Sequence, residues 1–95
     1  MTRNNGLMNA EVRFPEHVVF RSFATETVAL NLQTGKFHGL NVTAGRIVEV
    51  LSVSRRPRDA VAQLAAEYDV PQEQIERDIE ALLALLLERD LIQLD

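Results

Sequence analysis

The sequence has no cysteine, no apolar run long enough to cross a membrane, and fewer basic than acidic residues. Without cysteine the chain can form no disulfide, thiol nucleophile or cysteine-ligated metal site. A membrane-spanning helix needs about 20 mostly apolar residues, and residues 1–9 lack the basic and apolar regions of a signal peptide. We therefore expect a cytoplasmic protein with no membrane partner. A formal net charge of −4 also argues against nucleic acid as a partner, because affinity for phosphates depends on Lys and Arg.

Length and composition predict one folded domain. With 95 residues, 46% of them hydrophobic and 25% charged, the chain can build one modest core but not a binding domain beside a catalytic domain. Residues 1–16 show little periodicity and include Pro15. We expect a flexible N-terminal arm over residues 1–16 and a folded domain over residues 17–95.

Three short segments after the arm carry the signals of β-strands, namely β-branched and aromatic residues and a period of two. In the second segment the alternation places Val28, Leu30 and Leu32 on one face. Gly35 can adopt the positive φ that the following turn requires. The pattern predicts a three-stranded antiparallel meander. Its strands cover residues 18–23, 27–32 and 36–40.

The hydrophobic period then changes from two to 3.6, which predicts helices. Thr43 is a suitable N-cap because its hydroxyl can accept an unpaired backbone N–H. Pro71 suits the first turn of the last helix, where its missing N–H costs nothing. The order β-β-β-α-α-α, without an internal repeat, predicts an α+β fold in which a small sheet packs against helices. The helices cover residues 44–52, 57–68 and 71–89.

The third predicted helix carries more apolar surface than packing on one side requires. Its central stripe is widened by Leu83, Leu85 and Leu87. Two interpretations stay open: the helix is wedged between the sheet and its neighbours, or one flank lines a groove for a ligand. At about 100° per residue, Asp78, Leu82 and Leu85 cluster within roughly one-sixth of the helix circumference. That cluster borders the core stripe, so we expect a ligand on this flank.

Turn, cap and core residues recur in a characteristic order in both halves of the chain. The first block contains Thr34, Gly35, Leu40, Asn41, Thr43, Ala44, Ile47 and Leu51. The second block contains Leu64, Glu67, Tyr68, Asp69, Val70, Asp78, Ile79, Leu82, Leu83, Leu86, Leu91 and Ile92. Over residues 18–94 this order and spacing resembles PqqD-like proteins, the peptide chaperones of pyrroloquinoline-quinone biosynthesis and their relatives.

The resemblance implies a small winged-helix-like domain that acts as a recognition element for precursor peptides. In this family the leader segment of a ribosomally made precursor adds as a strand to the third β-strand and lies against the third helix. The domain then presents the precursor to modifying enzymes or a leader peptidase. The peptide-binding residues implied here are Lys36, Phe37, His38, Gly39, Leu40, Asp78, Leu82, Leu85 and Arg89.

Two features leave the pathway and the local pocket open. His38 stands where relatives commonly carry an aromatic or aliphatic residue. Nothing before Leu40 resembles the pyrroloquinoline-quinone branch specifically. A lasso-peptide system, in which such domains often stand alone, is one candidate.

The third predicted strand also suits a peptide on physical grounds. An edge strand has unpaired N–H and C=O groups that an added strand can satisfy, and side-chain pockets then give specificity. Phe37 and His38 point to opposite faces, and His38 shares its face with the core-directed Leu40. Phe37 is therefore expected on the outer face, either as a partner contact or packed under the N-terminal arm. Asp78 is either a contact for a leader cation or N–H, or a surface acid that is solvated or paired with an arginine.

No pattern in the sequence brings catalytic groups together. His17 and His38 have no paired carboxylate motif and no metal-ligand spacing. Ser52 and Ser54 have no partnered base, and no glycine is followed by the Lys-Ser/Thr of a phosphate loop. We therefore predict a protein that is not an enzyme and uses no metal or cofactor.

Three functions are compatible with these patterns, and the first is a module that binds a leader peptide by β-augmentation. The alternative is a winged-helix DNA-binding transcription regulator, in which Arg55, Arg56 and Arg58 would touch phosphate. Outside that function the arginines form a solvated loop or dock a partner enzyme. Acidic residues on the third predicted helix count against DNA. A dimerisation module built on the same helix is the third possibility, although a long heptad repeat is missing.

Overall fold

Three strands and three helices follow one another in the predicted order, and short elements are added at both termini. The computed structural model describes residues 3–95. Its elements are α1 (Arg3–Asn9), β1 (Val12–Arg13), β2 (Val18–Ser22), β3 (Thr27–Asn31), β4 (Phe37–Leu40), α2 (Val42–Ser54), α3 (Pro57–Tyr68), α4 (Gln72–Glu88) and β5 (Gln93–Leu94). The α+β class and the β-β-β-α-α-α order are confirmed.

β2, β3 and β4 form one antiparallel sheet in that order, so β2 and β4 are its edges. The turn between β3 and β4 depends on Asn31, whose side chain is buried. Its Oδ1 accepts hydrogen bonds from the N–H groups of Gln33 and Thr34 at 2.9 and 3.2 Å. Gly35 has a φ of 77°, in the left-handed region that glycine tolerates. The predicted hairpin is confirmed, and the buried Asn31 closes it.

Helix α2 begins earlier than predicted and has a different N-cap. Asn41 precedes the helix in an extended conformation, and its Oδ1 accepts a hydrogen bond from the N–H of Ala44 at 2.8 Å. The prediction of Thr43 as the N-cap was wrong, because Thr43 already lies inside the first turn. Both side chains are good caps. Asn41 takes the position because β4 ends at Leu40 and the chain must turn at once.

α2 lies against the inner face of the sheet at a glycine. A Cβ on Gly45 would lie 2.8 Å from the Cβ of Thr27 and would collide with the Thr27 hydroxyl. Thr27 is buried, and its hydroxyl lies 3.3 Å from that of Ser22. A residue without a side chain therefore lets the helix approach the strand closely.

The core lies between the inner face of the sheet and the helices α2, α3 and α4. α4 is wedged into this core, because most of its leucine and isoleucine side chains are buried. Leu85 is half-buried, and Leu87 is 38% exposed. After α4, Leu91 and Ile92 are buried, so the chain folds back before β5 pairs with β1. The buried residues of α4 are Ile75, Ile79, Leu82, Leu83 and Leu86.

Part of the N-terminal segment packs on the core of the domain. Residues 1 and 2 lie outside the described residues, but α1 packs against α3 and α4. Met8 and Val12 are 2% and 1% exposed. The sequence could not reveal this packing, because a helix of 7 residues and a strand of 2 show no clear period, and β1 pairs with β5 at the far end of the chain. A boundary in mobility at residue 16 stays a prediction for amide exchange to test.

Candidate peptide-binding site

The open edge of β4 presents the backbone of two residues. The N–H of Asn31 donates to the carbonyl of Lys36 at 2.9 Å. Opposite residues of an antiparallel ladder alternate between bonded and non-bonded pairs, so His38 bonds to β3 through its backbone. Phe37 and Gly39, which lie opposite Leu30 and Val28, direct their N–H and C=O groups away from β3. Within residues 3–95 no strand pairs with that side of β4, so these groups can accept an added strand.

The C-terminal end of α4 lies beside this edge. A guanidinium nitrogen of Arg89 is 3.4 Å from Nδ1 of His38. Asp78, Leu82, Leu85 and Arg89 share one side of the helix, because they recur at steps of 4, 3 and 4 residues. Their stripe covers about 16 Å of the helix axis. A strand added to β4 would thus have the end of this stripe next to it.

The predicted site residues differ in what they can offer a peptide. On α4, Asp78 is exposed, Leu85 is half-buried and Leu82 is 7% exposed; Arg89, which directly follows the helix, is also exposed. The side chain of Leu40 is buried in the core. An apolar contact on α4 would therefore depend mainly on Leu85.

On the strand side of the site, accessibility also varies. Lys36 is exposed, but its N–H donates to Oγ1 of Thr34 at 3.2 Å. His38 is half-buried on the inner side of the sheet, and Gly39 is exposed. A peptide at this edge would meet the backbone of Phe37 and Gly39 and the side chain of His38.

The outer face of the sheet is apolar and open. The register places on it one set of alternate residues from all three strands and the adjoining turns. Phe37 is 71% exposed there, as the alternation predicted, and α1 does not cover it, because this helix packs on α3 and α4 instead. Alternation in the sequence predicts that Val28, Leu30 and Leu32 share one face, but it indicates no function for them. We define the outer face as Val19, Arg21, Phe23, Val28, Leu30, Leu32 and Phe37.

A cleft of about 570 Å³ lies at the opposite edge of the sheet, between β1, β2 and α2. Phe14 and Phe20 form part of its wall, with ring centroids 5.6 Å apart in an edge-to-face arrangement. Arg13 and Arg55 lie on its rim, and each forms an ion pair, with Asp95 at 3.1 Å and with Glu11 at 3.6 Å. Acidic residues near both ends of the chain therefore pair with the two arginines that line this cleft.

The basic cluster, which we define as Arg55, Arg56 and Arg58, also contacts the N-terminal segment and α4. Arg56 donates to the carbonyl of Asn9 at 2.8 Å, and Arg58 donates to Oδ1 of Asn9 at 2.9 Å. Arg58 also lies 4.0 Å from a carboxylate oxygen of Glu76. α4 itself carries five carboxylates and one arginine, which would repel a phosphate backbone. These contacts favour a structural role for the cluster and argue against DNA binding.

The strongest charge contact lies away from the candidate site and joins α2 to α3. Arg46 donates to both carboxylate oxygens of Glu67, at 2.9 and 2.6 Å. These hydrogen bonds, with a further one from Gln63, lower the pKa of Glu67 to about 2. The hydrogen bonds from Arg46 to Glu67 and Glu49 in turn raise the pKa of Arg46. The contact links α2 to α3 at the surface.

Neither a metal cluster nor a membrane-spanning helix is found within residues 3–95. No group of three or more His, Asp and Glu side chains in this part of the chain is placed to hold a metal ion. None of its helices has the length and apolar character needed to span a bilayer.

Comparison with known proteins agrees with the fold and the order of elements. Residues 26–92 match the model of the family described as coenzyme PQQ synthesis protein D (PqqD). No curated protein matches the chain significantly. A solved structure of TbiB1 in complex with the TbiA(beta) leader peptide is 33% identical, with a TM-score of 0.77, and the match covers 85% of this chain and 94% of that one. A lasso peptide synthetase B1 complexed with the leader peptide is 32% identical, with a TM-score of 0.79 and coverage of 88% and 99%. The chain therefore belongs to the PqqD family.

Proposed function

We propose that this protein binds the leader segment of a ribosomally synthesised precursor peptide and presents it to a modifying enzyme or leader peptidase. The leader adds as a strand to the open edge of β4 and contacts the side of α4 that carries Asp78, Leu85 and Arg89. The observation that carries the proposal is this edge, with outward backbone groups of Phe37 and Gly39 beside the end of α4. Both structural relatives were solved with a leader peptide.

Strand addition accounts for both affinity and tolerance of sequence. The backbone groups of β4 supply hydrogen bonds that any peptide can satisfy, and the half-buried Leu85 supplies a place for an apolar anchor. Such a combination supports micromolar or tighter binding, about −8 kcal/mol. Binding the leader raises the local concentration of precursor near a second enzyme without any catalytic group on this chain. The similarity to a lasso peptide synthetase B1 supports a lasso peptide as the product class.

The first test is calorimetry with the synthetic TbiA(beta) leader peptide, the partner in a similar solved complex, and with the leader of a precursor from the same gene cluster. Leu85→Glu should weaken leader binding at least tenfold, about 1.4 kcal/mol, because it places a charge against an apolar anchor. Leu87→Glu is the matched control, because Leu87 is 38% exposed and lies about 160° around the helix from Leu85. Equal leader affinity for folded Leu85→Glu and Leu87→Glu would contradict the proposed site on α4.

A pair of proline variants tests the edge strand. Phe37→Pro should remove an outward N–H and weaken leader binding while keeping the ladder to β3. His38→Pro removes a ladder bond instead, so it should lower the free energy of unfolding. Amide shifts on adding leader should appear in β4 and α4. Shifts confined to the basic cluster at Arg55, Arg56 and Arg58, or tighter binding to duplex DNA than to leader, would overturn the proposal.

A further inference from the structure

Basic side chains meet on the inner side of the open β4 edge. A guanidinium nitrogen of Arg89 lies 3.4 Å from Nδ1 of His38, and because arginine has no acceptor the imidazole accepts here and carries its hydrogen on the other nitrogen. Within residues 3–95 Arg89 forms no ion pair. Lys36, exposed just before β4, adds a positive charge to the same edge. This side of the edge therefore lacks an anionic partner and can bind one.

An acidic side chain lies on the outer side of the same edge. Oε1 of Glu26 is 3.1 Å from the position that a Cβ on Gly39 would occupy. Gly39 alternates with Leu40, which points to the core, so this position is on the outer side. Glu26 is exposed and, among the described residues, takes part in no ion pair. Because Gly39 has no side chain, the carboxylate lies directly over the edge strand.

We propose that the leader is recognised through two adjacent side chains of opposite charge. An acidic leader residue lies beside His38 and Arg89, and its basic neighbour lies beside Gly39 and Glu26. This inference rests on the proposed leader binding at β4, and it names the chemistry of the leader segment at that site. Backbone hydrogen bonds hold any extended peptide, whereas the two charges select the segment.

Strand geometry places the two leader side chains on opposite sides of the edge. Successive side chains of a strand point to opposite faces, and facing residues of neighbouring strands share a face. A leader residue facing His38 therefore points to the inner side, toward Arg89. Its neighbour facing Gly39 points to the outer side, where Glu26 lies. In an antiparallel leader the basic residue comes first, and in a parallel leader the acidic residue comes first.

The two charges also fix the register of the leader. A shift of one residue moves every leader side chain to the other face. In one direction the shift brings the acidic residue against Glu26, and in the other it brings the basic residue against Arg89. Like charges on neighbouring strands destabilise the pairing. Asp78 lies about 16 Å from Arg89 along the helix axis, too far to replace either contact. Only one register therefore satisfies both charges.

A charge scan of the leader measures both preferences. Each residue of the TbiA(beta) leader peptide, and of the leader from the same gene cluster, is replaced in turn by Asp and by Lys, and affinity for this protein is measured. One position should bind about tenfold tighter as Asp than as Lys, because its charge lies between strand and helix. An adjacent position should bind about threefold tighter as Lys than as Asp, since Glu26 is exposed.

Variants of the protein assign each preference to a residue. Arg89→Glu should reverse the first preference and Glu26→Lys the second, each at its own leader position. Arg89→Gln should erase the first preference, and it decides the point if Arg89→Glu does not fold. Arg77→Glu and Glu16→Lys are the matched controls, because they make the same charge changes at exposed residues away from this edge. Both controls should keep both preferences.

The outcomes separate this inference from the proposed function. If neither leader binds the parent protein, the proposed function and the inference fail together. Leader binding in which the Arg89 and Glu26 variants leave every preference unchanged would overturn the inference alone. It fails equally if the two sensitive positions are not adjacent in the leader, or if the control variants change the preferences by the same factor.

Discussion

Both faces of the three-stranded sheet carry apolar side chains, and two of the buried positions on the inner face are polar. The inner face buries Thr27 and Asn31, which are 5% and 4% exposed, whereas the outer face leaves Phe23, Leu32 and Phe37 in water. Antiparallel sheets commonly bury the apolar side and expose the polar side. Here Thr27 and Asn31 have hydrogen-bond partners, and α2 packs closely against the face that they share. Hydrophobicity alone therefore does not identify the core side of a small sheet, and an apolar open face is available for binding.

The largest expected effect tests the fit of α2 on the inner face. Gly45→Ala should lower the free energy of unfolding by about 2–3 kcal/mol, because the new Cβ has no room beside Thr27. Gly6→Ala is the matched control: it is also a glycine in a helix, but nothing lies within 4 Å of the added Cβ. That change should be neutral or stabilise by up to about 1 kcal/mol. Chemical denaturation measures both variants. Equal free energies of unfolding for Gly45→Ala and Gly6→Ala would contradict the close packing of α2 on the sheet.

A second prediction compares a polar and an apolar neighbour on opposite faces. Asn31→Ala should cost about 1–2 kcal/mol, because the N–H groups of Gln33 and Thr34 lose their acceptor. Leu32→Ala should change the free energy of unfolding by less than about 0.5 kcal/mol, since Leu32 is 57% exposed. Urea denaturation checks both. If Leu32→Ala were less stable than Asn31→Ala, the outer face would contribute more to folding than the inner face, contrary to this comparison.

The smallest expected effect concerns the ion pair between Arg46 on α2 and Glu67 on α3. Glu67→Gln should lower the melting temperature slightly at pH 7, because Arg46 then loses a charged partner. The pKa of Glu67 is lowered from 4.5 to about 2, so its contribution is complete above about pH 4.5 and is lost as pH falls toward 2.

The difference in melting temperature between parent and Glu67→Gln should therefore shrink over that pH range. Glu88→Gln, at an exposed carboxylate that ends α4, is the control and should behave like the parent. A constant difference from pH 7 to pH 2 would show that α2 and α3 are joined by something other than this charge.

Much of the fold could be predicted because its signals are local. Helix α3 begins at Pro57 and ends at Tyr68 as predicted, and Gly35 forms the predicted turn. Alternation placed Phe37 on the outer side of the sheet, where it is exposed. Each of these features depends on neighbouring residues and on periodicity, which the sequence carries directly.

The candidate site could be predicted only in part. Helical periodicity grouped Asp78, Leu82 and Leu85 on one flank, but it could not say that Arg89 meets His38 at β4. Strand alternation predicted that Leu40 points to the core, but it could not say that the outward backbone groups belong to Phe37 and Gly39. These facts depend on the register of the ladder and on how α4 docks, and both involve residues far apart in the chain.

The sequence by itself determined the order of strands and helices, the β3–β4 turn and the apolar flank of α4, because backbone preference and side-chain period act over a few residues. Tertiary structure decided that the inner face of the sheet could bury polar side chains. Thr27 and Asn31 could be buried because hydrogen bonds satisfy them and because Gly45 lets α2 come close. It also folded the N-terminal segment onto the core, since α1 with Met8 packs against α3 and α4 and β1 with Val12 pairs with β5.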